Sequence, residues 1–143
     1  VNIRPFTNTD RPFLRTLFLA SRKASWHWLD SSDWVLEDFD FVTLGETILV
    51  AEEDGHRLGF AAYLPNDNFL HSLFVDPAAQ GKGVGSALLQ AVQEQFTSTG
   101  ALKCLAENHH ARAFYEHHGW EVISHGEGDQ GSWLLMHYVL RNR

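Results

Sequence analysis

The sequence predicts an α/β (α+β) chain: a central mixed sheet of about six to seven strands flanked by about four helices. Three observations carry that expectation. Apolar runs of strand type alternate with amphipathic runs of helical period, in the order β-α-α-β-β-β-α-β-α-β-β. Two of the strand runs flank Asp54-Gly55, a pair suited to a tight hairpin turn. In "VDPAAQGKGVGSALLQAV", the glycines Gly81, Gly83 and Gly85 stand between a strand and the helix that follows it.

Each element has its own reason. "VNIRPF" reads as the first strand, and Thr9 or Asp10 caps a helix from about Arg11 to Ala24. Phe13, Leu14, Leu17 and Phe18 recur at helical spacing and form its expected core face. "SWHWLDSSDWVLEDFDF" has no clean period and reads as a loop with a short helix from about Ser32. "TILVAEEDGHRLGFAAYL" is the hairpin, and "NFLHSLFV" is apolar on nearly all sides, as a central strand is. A helix from near Gly83 presents Val84, Leu88, Ala91, Val92 and Phe96 on one face and is expected to end at Gly100. "ALKCLAE" is the next strand. A helix from Asn108 to His118 follows, with Ala111, Phe114, Tyr115 and His118 on one face and Gly119 as its stop. "WEVISH" and "WLLMHYVL" are the last strands, joined by the polar loop "GEGDQG".

Length and composition bound the function. A chain of 143 residues suits one domain spanning 1–143. The net charge of −7 disfavours nucleic acid as a partner and mildly favours a cationic small substrate, with an acidic surface kept for solubility as the equal alternative. No apolar run approaches the roughly 18 residues of a membrane helix, and the N-terminal "VNIRPFTNTDRP" has no signal-peptide core. Cys104 is the lone cysteine, which fits a reducing cytoplasm; it reads as a buried strand residue rather than a nucleophile.

The glycines between strand and helix form an anion cradle on physical grounds. A helix N-terminus offers free N–H groups and the positive end of its dipole, and glycine lets a ligand approach the main chain. Gln80 and Lys82 add side-chain contacts. The spacing is not that of a Walker A loop, a dinucleotide fingerprint or a nucleophile elbow. A tight loop that binds nothing is the alternative.

The string "QGKGVG" after "LFVDP" resembles the Gln/Arg-x-x-Gly-x-Gly/Ala signature of the GCN5-related N-acetyltransferases, the GNAT superfamily. "ENHHARAFYEHHGWEV" is similar to that family's second segment, an Asn with a Tyr seven residues on, then Gly and an aromatic residue. "NIRPFTNTDRPFLRTLF" resembles its first strand and helix, so the likeness spans nearly the whole chain and is weakest from Ser25 to Glu46. Small stand-alone bacterial members resemble this chain best in its middle and C-terminal parts.

The resemblance implies acetyl-CoA as co-substrate. Leu73, Phe74 and Val75 would offer backbone groups to the pantetheine arm. Gln80, Gly81, Lys82, Gly83, Val84 and Gly85 would hold the pyrophosphate, with Ser86 as a further donor. Asn108 would contact the cofactor arm, cap the following helix, or both. Tyr115 would protonate the departing thiolate; periodicity alone reads it as a core tyrosine.

The chemistry implied is direct attack of a neutral amine on the thioester. His71 is the first candidate for the base, since histidine titrates near neutral pH; a satisfied core histidine is the equal alternative. Glu52, Glu53 and Asp67 are further candidates. Trp26, Trp28 and Trp34 with Asp30 and Asp33 would enclose a cationic acceptor, or else simply pack. The nine histidines lack the i,i+4 pairing with a carboxylate that zinc sites favour, so no metal is expected. The leading expectation is an N-acetyltransferase acting on a primary amine of a small molecule or peptide, as a monomer or homodimer. A non-catalytic acyl-CoA sensor and a protein-acetylating toxin are the alternatives on the same fold.

Overall fold

The structure, a computed structural model, describes residues 1–140; the last three residues of the expected 1–143 domain lie outside the described residues. In chain order the elements are β1 (Asn2–Pro5), α1 (Arg11–Ser25), α2 (Asp38–Val42), β2 (Thr47–Glu53), β3 (His56–Leu64), β4 (Phe69–Val75), α3 (Val84–Gln93), β5 (Gly100–Leu105), α4 (His109–His117), β6 (Glu121–Gly128) and β7 (Gly131–Tyr138). The strands form one sheet in the order β1-β2-β3-β4-β5-β7-β6. Every neighbouring pair is antiparallel except β4 and β5, so the sheet is mixed and β4 lies at its centre.

Alternation along the strands gives the sheet two buried faces. In β3, Ala61 and Tyr63 join a core with Leu88, Leu89 and Val92 of α3, together with Trp120 and Met136. Phe60 and Ala62 face the other way, into a core with Leu14, Leu17 and Phe18 of α1 and Phe39 of α2. The second core is aromatic. Phe18, Phe39, Phe60 and Phe74 meet mostly edge to face, with centroids 5.1–6.2 Å apart. Among the described residues no helix is long and apolar enough to cross a membrane.

Two irregularities position the site. The parallel pair is held by only two residue pairs, Phe69 with Ala101 and Leu70 with Leu102. Beyond Leu70 no ladder joins β4 to β5, so main-chain groups on that edge of β4 lack a sheet partner. On its other edge β4 carries a β-bulge. Ala62 pairs with Ser72 but Tyr63 pairs with Leu70, which leaves His71 as the extra residue.

Several boundaries differ from the sequence expectation. Phe13 is exposed under the Arg57 guanidinium, 4.0 Å from its ring centroid, while Ser21 is buried on the core face of α1. The short helix starts at Asp38 rather than about Ser32. Asp30 accepts the Ser32 N–H and Asp38 accepts the Val35 N–H, and these local bonds hold the chain in turns instead. α3 ends at Gln93, and Gly100 opens β5. A Cβ on Gly100 would lie 2.2 Å from the Phe96 ring, so this glycine makes room for an aromatic side chain.

Most of "GEGDQG" is strand, and the hairpin turns at Asp129 and Gln130. The Trp133 indole covers Gly126 and Gly128, with its Cζ2 2.3 Å from where a Gly126 Cβ would stand. An aromatic lying on glycines replaces the side-chain packing they lack and keeps the pairing in place.

Candidate active site

The glycine turn is dictated by backbone angles. Gly81 has φ +81° and Gly83 has φ +80°, a region that other residues adopt only with strain. A Cβ at either would meet nothing within 4 Å, so conformation, not lack of space, demands glycine there. Gly83 is the N-cap of α3, and the first N–H groups of that helix follow at Val84, Gly85 and Ser86. They present unpaired donors and the positive dipole end at one place. Asp76 holds the turn before it by accepting the Ala78 N–H at 3.0 Å.

This N-terminus opens into a cavity of about 970 Å³ that fills the gap between β4 and β5. Leu73, Phe74 and Val75 form one wall, and Gln80, Gly81, Gly83, Val84, Gly85 and Ser86 form the end. Asn108 and Tyr115 close it from the α4 side. His71 also lines it, so the structure gathers both candidate catalytic side chains and nearly all candidate cofactor contacts around one space. Lys82 is exposed in the turn but does not line the cavity.

The polar groups have distinct environments. Asn108 Oδ1 accepts the Ala111 N–H at 3.1 Å, so it caps α4, while its Nδ2 makes no hydrogen bond among the described residues. Burial pushes the Tyr115 phenol well above its ordinary value, with the neighbouring Cys104 adding to the effect. Burial also pushes the Cys104 thiol up to about 11, so it stays protonated at neutral pH. Ser86 Oγ lies 3.0 Å from His118 Nε2.

The aromatic stretch after α1 divides. Trp26 lines the cavity and meets Phe74 edge to face at 5.7 Å. Trp34 sits behind it, 6.1 Å from Trp26, with the buried Arg22 guanidinium 4.8 Å above its ring. Trp28 packs against His27, and Asp30 is committed to Ser32, so Trp28, Asp30 and Trp34 stand outside the cavity wall.

One residue escaped the sequence reading. His71 Nδ1 lies 2.7 Å from Glu46 Oε2, in the turn before β2. The Glu46 side chain is 5% exposed and that of His71 is 45% exposed. Burial raises the Glu46 pKa, against the opposing pull of His71. Nothing in "TLGETILV" marks this carboxylate, because its partner lies 25 residues away. Among the described residues no group of three or more His, Cys, Asp or Glu side chains is placed to hold a metal ion.

The chain is 38% identical to the uncharacterized N-acetyltransferase YhfO of Bacillus subtilis over 87 residues, covering 52% of this chain and 58% of the relative. It is 36% identical to the peptidyl-lysine N-acetyltransferase YiaC of Escherichia coli over 74 residues, covering 52% of this chain and 49% of that protein. The chain thus spans about half the length of the curated relatives it matches. The fold superposes on the PaiA N-acetyltransferase of Thermoplasma acidophilum, solved in complex with coenzyme A, with a TM-score of 0.78. That match covers 97% of this chain and 98% of the other at 18% identity. A family model described as Acetyltransferase (GNAT) family matches residues 12–120, which hold strands β2 to β5 and all four helices but for Arg11, and the chain belongs to that family.

Proposed function

We propose that the chain is an acetyl-CoA-dependent N-acetyltransferase that acylates a primary amine of a small molecule or peptide by direct attack. The observation that carries this reading is the meeting, in one cavity, of the Gly81–Ser86 helix terminus with the unpaired edge of β4. The first suits a pyrophosphate. The second suits an amide-containing arm that pairs as an added strand would. Coenzyme A has both parts, and the PaiA relative was solved with it. The name of the YiaC relative supports a lysine-type amine among the acceptors.

Acetyl-CoA, when bound, supplies an activated acetyl thioester. In net terms an ammonium and the thioester become an amide, a free thiol and one proton. The residues of the chain do the rest. His71 takes a proton from the ammonium, leaving the neutral amine that forms the C–N bond. An unpaired N–H on the β4 edge near Phe74 or Val75 donates to the carbonyl oxygen as it gains charge. Tyr115 gives its proton to the sulfur as the C–S bond breaks, and the second proton that the nitrogen must lose to become an amide restores the phenol. Cys104 is a poor acyl acceptor, since a thiol pushed up to about 11 is scarcely ionised at neutral pH. The same apolar wall makes an unprotonated sulfur costly, which is the reason an acid is needed. The reading sets the reaction in the cytoplasm.

A thermal shift with acetyl-CoA and a thiol-release assay against amines, amino acids, antibiotics and lysine peptides test it together. At a hundredfold excess over Kd, acetyl-CoA stabilises the native state by about 2.7 kcal/mol, several degrees of midpoint. No shift would sink the reading. A shift with no thiol release on any amine would leave an acyl-CoA sensor in its place.

A further inference from the structure

We infer that Glu46 is a positioning residue: it fixes the tautomer and orientation of His71 so that the imidazole presents an unprotonated Nε2 to the cavity. The inference rests on the acetyltransferase reading for its purpose, but its geometry stands independently. His71 is the extra residue of the β4 bulge, so its side chain is released from the alternation that aims its neighbours into the two cores. The ring lines the cavity with nearly half its surface exposed, yet Nδ1 is engaged at 2.7 Å by a carboxylate that is almost wholly buried.

Glu46 is an expensive residue at this place. Its Oε2 has one partner, and its Oε1 is buried with no hydrogen-bond partner among the described residues. A buried carboxylate oxygen without a donor costs stability. Burial raises its pKa accordingly, so the folded state disfavours the very charge it holds. A glutamine would fill the same volume without that charge. Local instability kept at a cavity wall has a functional explanation when the strained group acts on a catalytic one.

The action follows from imidazole chemistry. In a neutral ring one nitrogen carries the proton, and the hydrogen bond at one nitrogen decides the state of the other. A carboxylate accepts and does not donate, so Nδ1 must be the N–H donor. Nε2 then has its lone pair free to receive the ammonium proton. When it does so, the imidazolium keeps Nδ1–H on Glu46, whose negative charge faces the new positive one. Without Glu46, histidine's ordinary preference for the Nε2–H tautomer points a donor into the cavity and removes the base.

The test uses the whole chain with 15N-labelled histidine. Long-range proton–nitrogen spectra at alkaline pH report which nitrogen carries the proton, with His71→Ala assigning the signal. The expected result is Nδ1–H in the native protein, moving toward Nε2–H in Glu46→Ala. Glu46→Gln should keep or raise the thermal midpoint at pH 7.5, lower turnover by about 10²–10⁴-fold, and leave acetyl-CoA affinity unchanged. Glu46→Asp should recover part of the turnover. Nε2–H in the native protein, or a tautomer indifferent to Glu46→Ala, would overturn the assignment. So would full turnover in Glu46→Gln. The tautomer spectrum needs no acceptor amine, so absence of acetyl transfer in the native chain would count against the function while leaving the pair to be judged by its spectrum.

Discussion

Ser86 Oγ and His118 Nε2, 3.0 Å apart, tie the first turn of α3 to the residue that closes α4. Burial first, and His117 second, lower the His118 pKa, so the ring is neutral at pH 7. Protonation makes Nε2 a donor whichever neutral tautomer precedes it, so the Ser86 hydroxyl can turn its own hydrogen to a phosphate, and it adds a positive charge beside the cradle. The lowered pKa puts this gain below the ordinary histidine value of about 6.5. Calorimetric titration of coenzyme A between pH 7.5 and 5.5 should show the native protein gaining affinity over His118→Asn as pH falls. Parallel pH profiles in the two proteins would separate His118 from the cradle.

Gly83 tests the cradle itself. Gly83→Asp places a carboxylate against the incoming phosphates and also strains a residue at φ +80°. Gly83→Ala carries the strain without the charge. Acetyl-CoA affinity should fall more than tenfold further in the Asp variant than in the Ala variant, since a like charge at contact costs well over 1.4 kcal/mol in a partly buried site. Equal affinities, measured on variants shown to be folded, would disprove the phosphate assignment.

Tyr115→Phe removes one hydroxyl and retains the ring that packs against Phe114 and Trp120. Turnover should drop by about 10²–10⁴-fold while acetyl-CoA affinity and thermal midpoint hold. Steady-state kinetics beside a direct titration decide the matter. Near-normal turnover would make Tyr115 a core residue, and lost affinity would make its hydroxyl a binding contact.

Asp10 anchors the start of α1 to two strands. Its wholly buried carboxylate accepts from Arg4 at 2.8 and 2.9 Å, from Arg57 at 2.7 Å and from the Thr7 N–H at 2.8 Å. Asp10→Asn should cost about 3 kcal/mol, the low end for breaking a buried pair, because both guanidiniums keep some solvent. Arg4, foremost, holds the Asp10 pKa well below the usual carboxylate range. That stability is therefore full above about pH 4 and is lost as pH falls toward the depressed folded value. Denaturation curves of native and variant should stay apart from pH 8 to 5 and converge in stronger acid. A gap that persists undiminished at pH 2 would contradict the assignment.

The parts of this protein legible in the chain were those governed by local rules. Positive φ at Gly81 and Gly83 demands glycine wherever the turn ends up, and helical period placed Tyr115 and Asn108 on one side of α4 before any fold was known. The family signature rode on those same residues. Tertiary structure decided what depended on residues far apart in sequence. Trp133, lying over Gly126 and Gly128, made strand of a segment whose composition reads as loop. Arg22 and Phe74 sorted the tryptophans, drawing Trp26 to the cavity and Trp34 behind it. The β4 bulge turned His71 outward from a strand that reads as apolar on nearly all sides except at His71 and Ser72, and only the folded chain put Glu46 against it. The period of a strand or helix is written in neighbouring residues, whereas a buried carboxylate's partner is set by where two distant segments pack.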